Sequence, residues 1–434
     1  MKRVHFLGIG GSGASAAAAI AQEQGFKVTG CDLEPQNEFT TQFKPSQLLK
    51  DHSPKHLAFH PKGAGSNVDI LAVTPAIYSL DPNNPELSEA KRLGIEILTW
   101  QQFLGKYLMK DKFVIAVAGT HGKTTTTAMI AKLLEDAGMD PTVELGAIVP
   151  WWGTNYRVGK SRYFIVEADE YNDNFLAFHP DISVVTNIEM DHPEYFKDFE
   201  SYKESFKKFL ESTKKTIIAN LSDPGVKQTL ASHMSSGNTV INYSKHLIEF
   251  PLNIPGEFNR SNASAAYQVG LKLGIKPQTI QKSLSSYPGV GRRFEYIGEY
   301  RGAKVYSDFG HHPTEIRETM KAAREKFTKS RILLVYQPHM FSRTKALFDD
   351  FIKVFREAPA DKTYIINIYP SREIDTESVS SRQLVDAVGK KSVVHIGSTD
   401  HALEKLKPEI RKGDIVFFMS AGDTDKLAKE LVSV

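Results

Sequence analysis

The chain has 434 residues, 41% hydrophobic and 24% charged, the make-up of an ordinary globular protein of about three domains at roughly 150 residues each. A net charge of +3 offers no field for nucleic acid or an anionic membrane, and no apolar run approaches the ~20 residues of a membrane helix. Cys31 is the only cysteine, so no intrachain disulfide is possible; together with a start, MKRVHFLGIGGSG, unlike a signal peptide, this leads us to expect a soluble cytoplasmic protein.

Short β-branched and aromatic runs at 4–8, 70–76, 113–118, 163–168, 182–188, 332–336 and 415–419 predict strands buried on both faces of parallel sheets. Helical spacing occupies 123–137, 200–212, 259–273, 314–327, 345–356 and 424–432. The alternation predicts α/β architecture in every third of the chain. A basic polar stretch, KYLMKDK (106–112), and a Pro/Gly turn, YPGVG (287–291), suggest domains over 1–108, 109–288 and 289–434.

Residues 4–15, VHFLGIGGSGAS, place Gly8, Gly10 and Gly13 between a strand and an Ala-rich helix. That G-x-G-x-x-G turn suits a phosphate at a helix N-terminus, and Asp32 ends the next strand where a ribose-binding acid sits in dinucleotide folds. Alone the pattern is weak, and it fits a nicotinamide-dependent dehydrogenase or a glycine turn without ligand. Cys31, beside Asp32, reads as a packed small residue.

The stretch 117–130, VAGTHGKTTTTAMI, is more specific. A strand runs into Gly-Lys-Thr at a helix start, so backbone N–H groups of Gly119–Thr124 would face phosphate oxygens. Lys123 would hold the terminal phosphates and Thr124 would offer its hydroxyl to Mg²⁺. The common phosphate loop begins with glycine, and this chain has Val117 there. Two acidic motifs follow at strand ends: VEADEYND, with Glu167, Asp169 and Glu170, and TNIEMDH, with Glu189, Asp191 and His192. Carboxylates on the edge that carries the phosphate loop suit a hard cation bridging phosphates. Beyond them GVGRRFEY, YSDFGHHPTE and QPHMFSRT bring Arg292, Arg293, His311, His312 and Arg343, side chains suited to an anionic group or to a helix cap.

Taken together, GTHGKTTTT, EADE, TNIEMDH, FNRSNASAA, GRRFE and DFGHHPTEI resemble the Mur ligase family, the ATP-dependent amide-bond-forming enzymes of peptidoglycan precursor synthesis. The resemblance spans nearly the whole chain. It is strongest toward members that add L-alanine to UDP-N-acetylmuramate, through HFLGIGGSG, TPAIYSLDPNNPE, GTHGKTTTTAMIA, DFGHHPTEIRETMKAAR and QPHMFSRT. It implies a Rossmann-like N-terminal domain, a central P-loop ATPase-like parallel-sheet domain and a Rossmann-like C-terminal α/β domain.

The resemblance further implies that Gly10, Gly11, Ser12, Asp32, Thr74, Pro75 and Ala76 bind the UDP-sugar. ATP would meet Gly119, Thr120, His121, Gly122, Lys123, Thr124, Thr125, Asn262, Arg293 and Asp308. Mg²⁺ would be held by Thr124, Glu167 and His192, while His311 and Arg343 would orient L-alanine. The catalytic set would be Lys123, His192, Arg293, His311 and Arg343, with the C-terminal domain closing over the reaction. The partners implied are small molecules, not nucleic acid or membrane, for a monomer or homodimer. The family pattern is departed from at Phe258, where His is usual, at Phe309, where the alanine-adding members commonly have Tyr, and at Met340, where a basic or polar residue is common. EADEY, with Tyr171, is also similar to the ligases that return a murein tripeptide to the same sugar, the alternative reading. Phe206 falls where many members carry a carbamylated lysine, so no such modification is expected. A dehydrogenase would leave the phosphate loop and the HHPTE motif unexplained, and a P-loop motor would leave the first domain unexplained.

Overall fold

The computed structural model describes residues 1–57, 68–231, 237–371, 373 and 378–433. Three sheets follow one another along the chain. The first is wholly parallel, with β1 (Arg3–Leu7), β2 (Lys27–Asp32), β3 (Leu48–Lys50), β4 (Ile70–Val73) and β5 (Glu96–Thr99) in the order β3-β2-β1-β4-β5. The chain reverses its direction of sheet growth at β1, so the glycine turn after β1 opens at a switch point, where such sheets receive ligands.

The second sheet holds β6 (Phe113–Ala118), β7 (Thr142–Val149), β8 (Thr154–Arg157), β9 (Tyr163–Glu167), β10 (Ile182–Val185), β11 (Thr216–Ala219) and β12 (Thr239–Asn242), ordered β12-β11-β10-β6-β9-β7-β8. Only the β7–β8 pair is antiparallel. With β6 between β10 and β9, the loops that leave these three strands share one edge.

The third sheet contains β13 (Glu295–Tyr300), β14 (Ala303–Asp308), β15 (Ile332–Tyr336), β16 (Lys362–Ile366), β17 (Val393–Gly397) and β18 (Ile415–Met419), ordered β13-β14-β18-β15-β16-β17. A hairpin joins β13 to β14 through Arg301 and Gly302, with φ of 50° and 78°, the positive-φ pair a tight two-residue turn demands. Along β15 the side chains alternate. Ile332, Leu334 and Tyr336 enter one apolar cluster with Ile316, Phe351 and Phe417, while Leu333 and Val335 enter another with Val305, Val416 and Leu431. Both faces are covered, which is why the strand reads as an unbroken apolar run.

Backbone contacts divide the chain into two compact units. Residues 1–189, 200–247 and 263–284 form the first, which carries the first two sheets; residues 190–199, 248–262 and 285–434 form the second. Within the first unit the helix after the glycine turn, Ser12–Glu23, is tied to β8 by Asn155, whose Nδ2 donates to Ser12 O at 2.7 Å. Among the described residues no helix is long and apolar enough to cross a membrane.

Candidate active site

In the first sheet, Gly8 (φ +88°) opens the turn; a Cβ there would come within 2.4 Å of Thr74 Cγ2, so the turn and the Thr74–Ala76 loop require glycine to pack. Asp32, at the end of β2, accepts from Gly10 N at 2.9 Å, and Asn37 donates to Gly10 O at 2.9 Å. Gly11 precedes the helix that begins at Ser12, and no side chain caps that N-terminus. The structure thus brings Gly10, Gly11, Ser12, Asp32 and Thr74 to one edge. Pro75 and Ala76 continue the loop, their carbonyls starting the short helix Ile77–Leu80.

The phosphate loop leaves β6. Val117 lies inside that strand, buried and in register with Val184 and Glu167, so the position where common loops have glycine is here a strand position. The turn begins at Gly119 (φ +137°), where a Cβ would fall 2.0 Å from Thr186 Oγ1, and ends at Gly122 (φ +83°). The stretch after β10 grips the loop: Thr120 N donates to Asn187 O at 3.0 Å, His121 N to Asn187 Oδ1 at 2.8 Å, and Thr186 Oγ1 to His121 O at 2.6 Å. Thr120 Oγ1 also lies 2.9 Å from Tyr202 Oη, which donates to Glu170 at 3.0 Å.

Lys123 opens the helix Lys123–Asp136. Its Nζ donates to Gly119 O at 2.7 Å, Thr120 O at 3.2 Å and Glu170 Oε2 at 2.8 Å. Burial works against its charge, but Glu170, Asp169 and Glu167 outweigh burial and hold the ammonium protonated. Thr124 donates from Oγ1 to Glu167 Oε1 at 2.9 Å, and Glu167 Oε2 accepts from Gly146 N at 2.8 Å. By helix geometry the N–H groups of Lys123, Thr124 and Thr125 have no intrahelical acceptor, and no side chain caps this N-terminus. Glu144, fully buried on β7, has its carboxyl pushed well above the ordinary value by burial, then by Glu167 and Asp169. Sequence reading missed Glu144, Asn187 and Tyr202. Only Asn187, inside TNIE, lay in a stretch already marked. Trp151 and Trp152 both donate to Glu135, at 3.0 Å, which makes them a clamp on the back of the phosphate-loop helix.

The second unit holds another ionic group. Arg343 donates from Nε to Asp191 Oδ1 at 2.9 Å, with both side chains nearly buried, and its Nη1 lies 3.1 Å from His339 Nδ1. Burial alone would raise the Asp191 carboxyl; Arg343, His192 and His311 hold it well below the ordinary value. His311 Nε2 stands 3.9 Å from Asp191 Oδ2, and its Nδ1 3.3 Å from Glu315 Oε2. Burial lowers the His311 pKa, so the imidazole is neutral near pH 7. His192 (φ +55°) has Nδ1 3.2 Å from Glu194 and Nε2 3.8 Å from Asp191. His312 caps the helix Pro313–Lys326, its Nδ1 accepting from Thr314 N at 3.3 Å.

Asp308 ends β14 and accepts from Phe294 N at 2.9 Å and Gly310 N at 2.8 Å; burial still pushes its carboxyl up to about 6. Arg293 lies 3.5 Å from Glu315, and Asn262 is buried on the helix Glu257–Lys272. Phe258, Phe309 and Met340 are each packed. Phe258 lies against the apolar cluster around Ile316, and the Phe309 ring carries the guanidinium groups of Arg292 and Arg293 at 4.8 and 4.9 Å. Met340 is buried at φ 73°, its sulfur 3.9 Å from Arg343 Nη1. Phe206 packs edge-on against Phe175 at 5.2 Å in an apolar cluster.

Comparison with known proteins covers the same span. Residues 3–112 match the Mur ligase family catalytic domain, 117–247 the Mur ligase middle domain, and 292–422 the Mur ligase glutamate ligase domain. The UDP-N-acetylmuramate–L-alanine ligase of Alkaliphilus metalliredigens is 36% identical, covering 100% of this chain and 97% of its own. That of Caldanaerobacter subterraneus is 37% identical over 99% of this chain and 97% of its own. Among solved structures, the UDP-N-acetylmuramate–alanine ligase of Thermotoga maritima superposes with TM-score 0.78 at 25% identity, covering 100% of this chain and 99% of that one. The murein peptide ligase of Psychrobacter arcticus shares the fold, with TM-score 0.71 at 22% identity over 100% of this chain and 98% of that one. With all three domain types in order and end-to-end relatives above 30% identity, the chain belongs to the Mur ligase family.

Proposed function

We infer that this protein is an ATP-dependent ligase that joins L-alanine to the lactyl carboxylate of UDP-N-acetylmuramate. The observation that carries the chemistry is the phosphate loop: Lys123 held on its own loop carbonyls beside an uncapped helix N-terminus, with the Thr124–Glu167 pair alongside. End-to-end likeness to L-alanine ligases carries the choice of substrate.

A carboxylate does not condense with an amine in water. Transfer of the ATP γ-phosphoryl group to the lactyl carboxylate makes an acyl phosphate; the free amine of alanine attacks its carbonyl, and phosphate leaves from the tetrahedral intermediate. The bare N–H groups of Lys123, Thr124 and Thr125 fit a triphosphate, and Lys123 Nζ can exchange Gly119 O and Thr120 O for phosphate oxygens. Thr124 and Glu167 form a hydroxyl–carboxylate pair suited to Mg²⁺, which when bound would neutralise charge on the transferred phosphoryl group. His192 would offer a ring nitrogen to a cation. Gly10–Ser12, Asp32 and the Thr74–Ala76 loop would take the UDP-sugar. On the second unit, neutral His311 and the fixed Arg343 would orient alanine, and Arg293, Asp308 and Asn262 would meet ATP.

The test is phosphate release with Mg-ATP and UDP-N-acetylmuramate, adding L-alanine, L-serine, glycine or the murein tripeptide in separate reactions. Release that requires both the sugar nucleotide and L-alanine is expected. Release with tripeptide alone would move the protein to the recycling ligases, and ATP hydrolysis indifferent to sugar would overturn the reading.

A further inference from the structure

The first sheet contains a buried group of ligating side chains that the ligase chemistry does not use. His5 on β1, Cys31 on β2, His56 on the short turn Pro54–Leu57 and Glu86 in the first turn of the helix Pro85–Leu93 converge, their ligand atoms all within 4.8 Å of one another. His5, Cys31 and Glu86 are each 0% exposed. In the parallel register His5 pairs with Thr29 and Leu7 with Cys31, which puts His5 and Cys31 on one face of the sheet.

The contacts within the group centre on Glu86. His5 Nε2 lies 2.8 Å from Glu86 Oε1 and His56 Nδ1 3.5 Å from Glu86 Oε2, close ionic contacts that lack hydrogen-bond geometry. Buried polar atoms left in this way call for a partner. Cys31 Sγ lies 3.2 Å from Glu86 Oε2. Tetrahedral Zn²⁺, with bonds of about 2.0–2.3 Å, sets neighbouring ligand atoms about 3.3–3.7 Å apart, close to the Cys31–Glu86 and His56–Glu86 separations, while His5 would draw back from Glu86 to admit the ion. The next layer has the usual form. Thr29 Oγ1 lies 2.8 Å from His5 Nδ1 and fixes that ring, while His52 Nδ1 stands 3.3 Å from the Cys31 sulfur. Around the group Leu7, Leu57, Val73 and Leu87 exclude water.

We propose that His5, Cys31, His56 and Glu86 form a closed, structural site for one Zn²⁺ that staples β1, β2, the Pro54–Leu57 turn and the helix Pro85–Leu93. Two neutral imidazoles, a thiolate and a carboxylate carry two negative charges, which the ion cancels in a place where an uncompensated charge is costly. Binding releases the Cys31 thiol proton to solvent. Four protein ligands leave no open position, so the role is structural. Gly8 N and Ile9 N both donate to Cys31 O, at 2.9 and 3.1 Å, so the stapled strand end is the one on which the glycine turn rests.

The experiment uses the whole chain, stripped by chelator and titrated with Zn²⁺ or Co²⁺ in excess Mg²⁺. About one equivalent of Zn²⁺ should be retained through gel filtration, with a rise in Tm. Cys31 is the only cysteine, so a thiolate-to-cobalt charge-transfer band can arise only here. That band and tetrahedral cobalt absorption are expected in the native chain and lost in Cys31→Ser. His56→Gln alters the half-buried ligand, and Thr29→Val loosens the His5 ring; each should weaken Zn²⁺ at least about 10-fold while the metal-free circular dichroism stays native. A cobalt spectrum without the charge-transfer band, or Zn²⁺ affinity unchanged in His56→Gln, would overturn the proposal.

Discussion

Lys123, partly buried, and Arg343, buried, each lie against a carboxylate, at 2.8 Å from Glu170 and 2.9 Å from Asp191, and they are built for different work. Lys123 spends its other donors on Gly119 O and Thr120 O, carbonyls of its own loop, from the end of a flexible stem. Those bonds can be exchanged for phosphate oxygens without moving Glu170. Arg343 is a rigid fork, with Nε on Asp191 and Nη1 on His339, and its carboxylate is pinned again by His192 N at 2.8 Å. The lysine is a cation waiting for a better partner. The arginine is part of the frame that holds its neighbours still.

If that contrast is right, the largest effect belongs to the lysine and falls on chemistry alone. Lys123→Ala should lower turnover at least about 10²–10³-fold, the cost of removing a cation aimed at transferred phosphate. Affinity for UDP-N-acetylmuramate, measured by calorimetry, should change less than about twofold, because the glycine turn after β1 shares no residue with the phosphate loop. Comparable loss of both in a folded variant would break the division.

Arg343→Ala should act on the frame first. Leaving Asp191 buried without its guanidinium, with only His192 and His311 beside it, costs up to about 3–5 kcal/mol, read as a fall in denaturation midpoint of the second unit. The double variant with Asp191→Asn should recover a good part of that. KM for alanine should rise more than KM for ATP; the reverse order would make Arg343 a nucleotide residue.

Asp308 sharpens the comparison through pH. Burial raises its carboxyl from an ordinary 3.8 to about 6, so the folded chain holds the proton more tightly than the unfolded one. Ionisation therefore destabilises the fold. The penalty, about 3 kcal/mol, is fully present above pH ~6 and gone below pH ~4. Stability of the native chain relative to Asp308→Asn should climb as pH falls from 7 to 4. A flat difference would mean that the two backbone N–H donors from Phe294 and Gly310 already compensate the charge.

The two regions also differ in how much of them could be read from sequence. The phosphate loop was legible because its chemistry is local: strand, glycines, lysine and helix follow within β6 to Asp136, and only Val117 looked wrong until its place inside the strand was seen. The buried runs of β1, β4, β6, β9, β10, β15 and β18 were legible because both faces are covered. β13 was not, since it lies at the sheet edge and its exposed positions break the apolar run; β14 was not, since Lys304, Ser307 and Asp308 interrupt it although most of it is buried. β11 (TIIA) is short and follows a lysine pair, so it lacked length to stand out. The Asp191–Arg343 pair is separated by 152 positions, and nothing in either motif names its partner. Glu144 sits between buried Val143 and Leu145, and only the fold places it near Glu167 and Asp169. His5, Cys31, His56 and Glu86 show no metal-ligand spacing for the same reason: they lie on four separate elements.

The smallest effect concerns Phe309. Its ring is a platform for the Arg292 and Arg293 guanidinium groups at 4.8 and 4.9 Å and meets His311 edge-on at 5.4 Å. A phenol would present the same face to the cations, so Phe309→Tyr should leave KM for ATP and for alanine within about twofold. Phe309→Leu removes the ring, and with it about 1 kcal/mol of cation–π attraction. Arg292 is also anchored on Ser420 O at 2.7 Å and Gly422 O at 2.9 Å, so it should hold its place. Arg293 is held by the longer Glu315 contact at 3.5 Å and should wander more, raising KM for ATP roughly fivefold with alanine little affected. A larger effect on alanine than on ATP would instead tie Phe309 to the acceptor through His311, and would put Arg293 with the rigid arginine rather than with the exchangeable lysine.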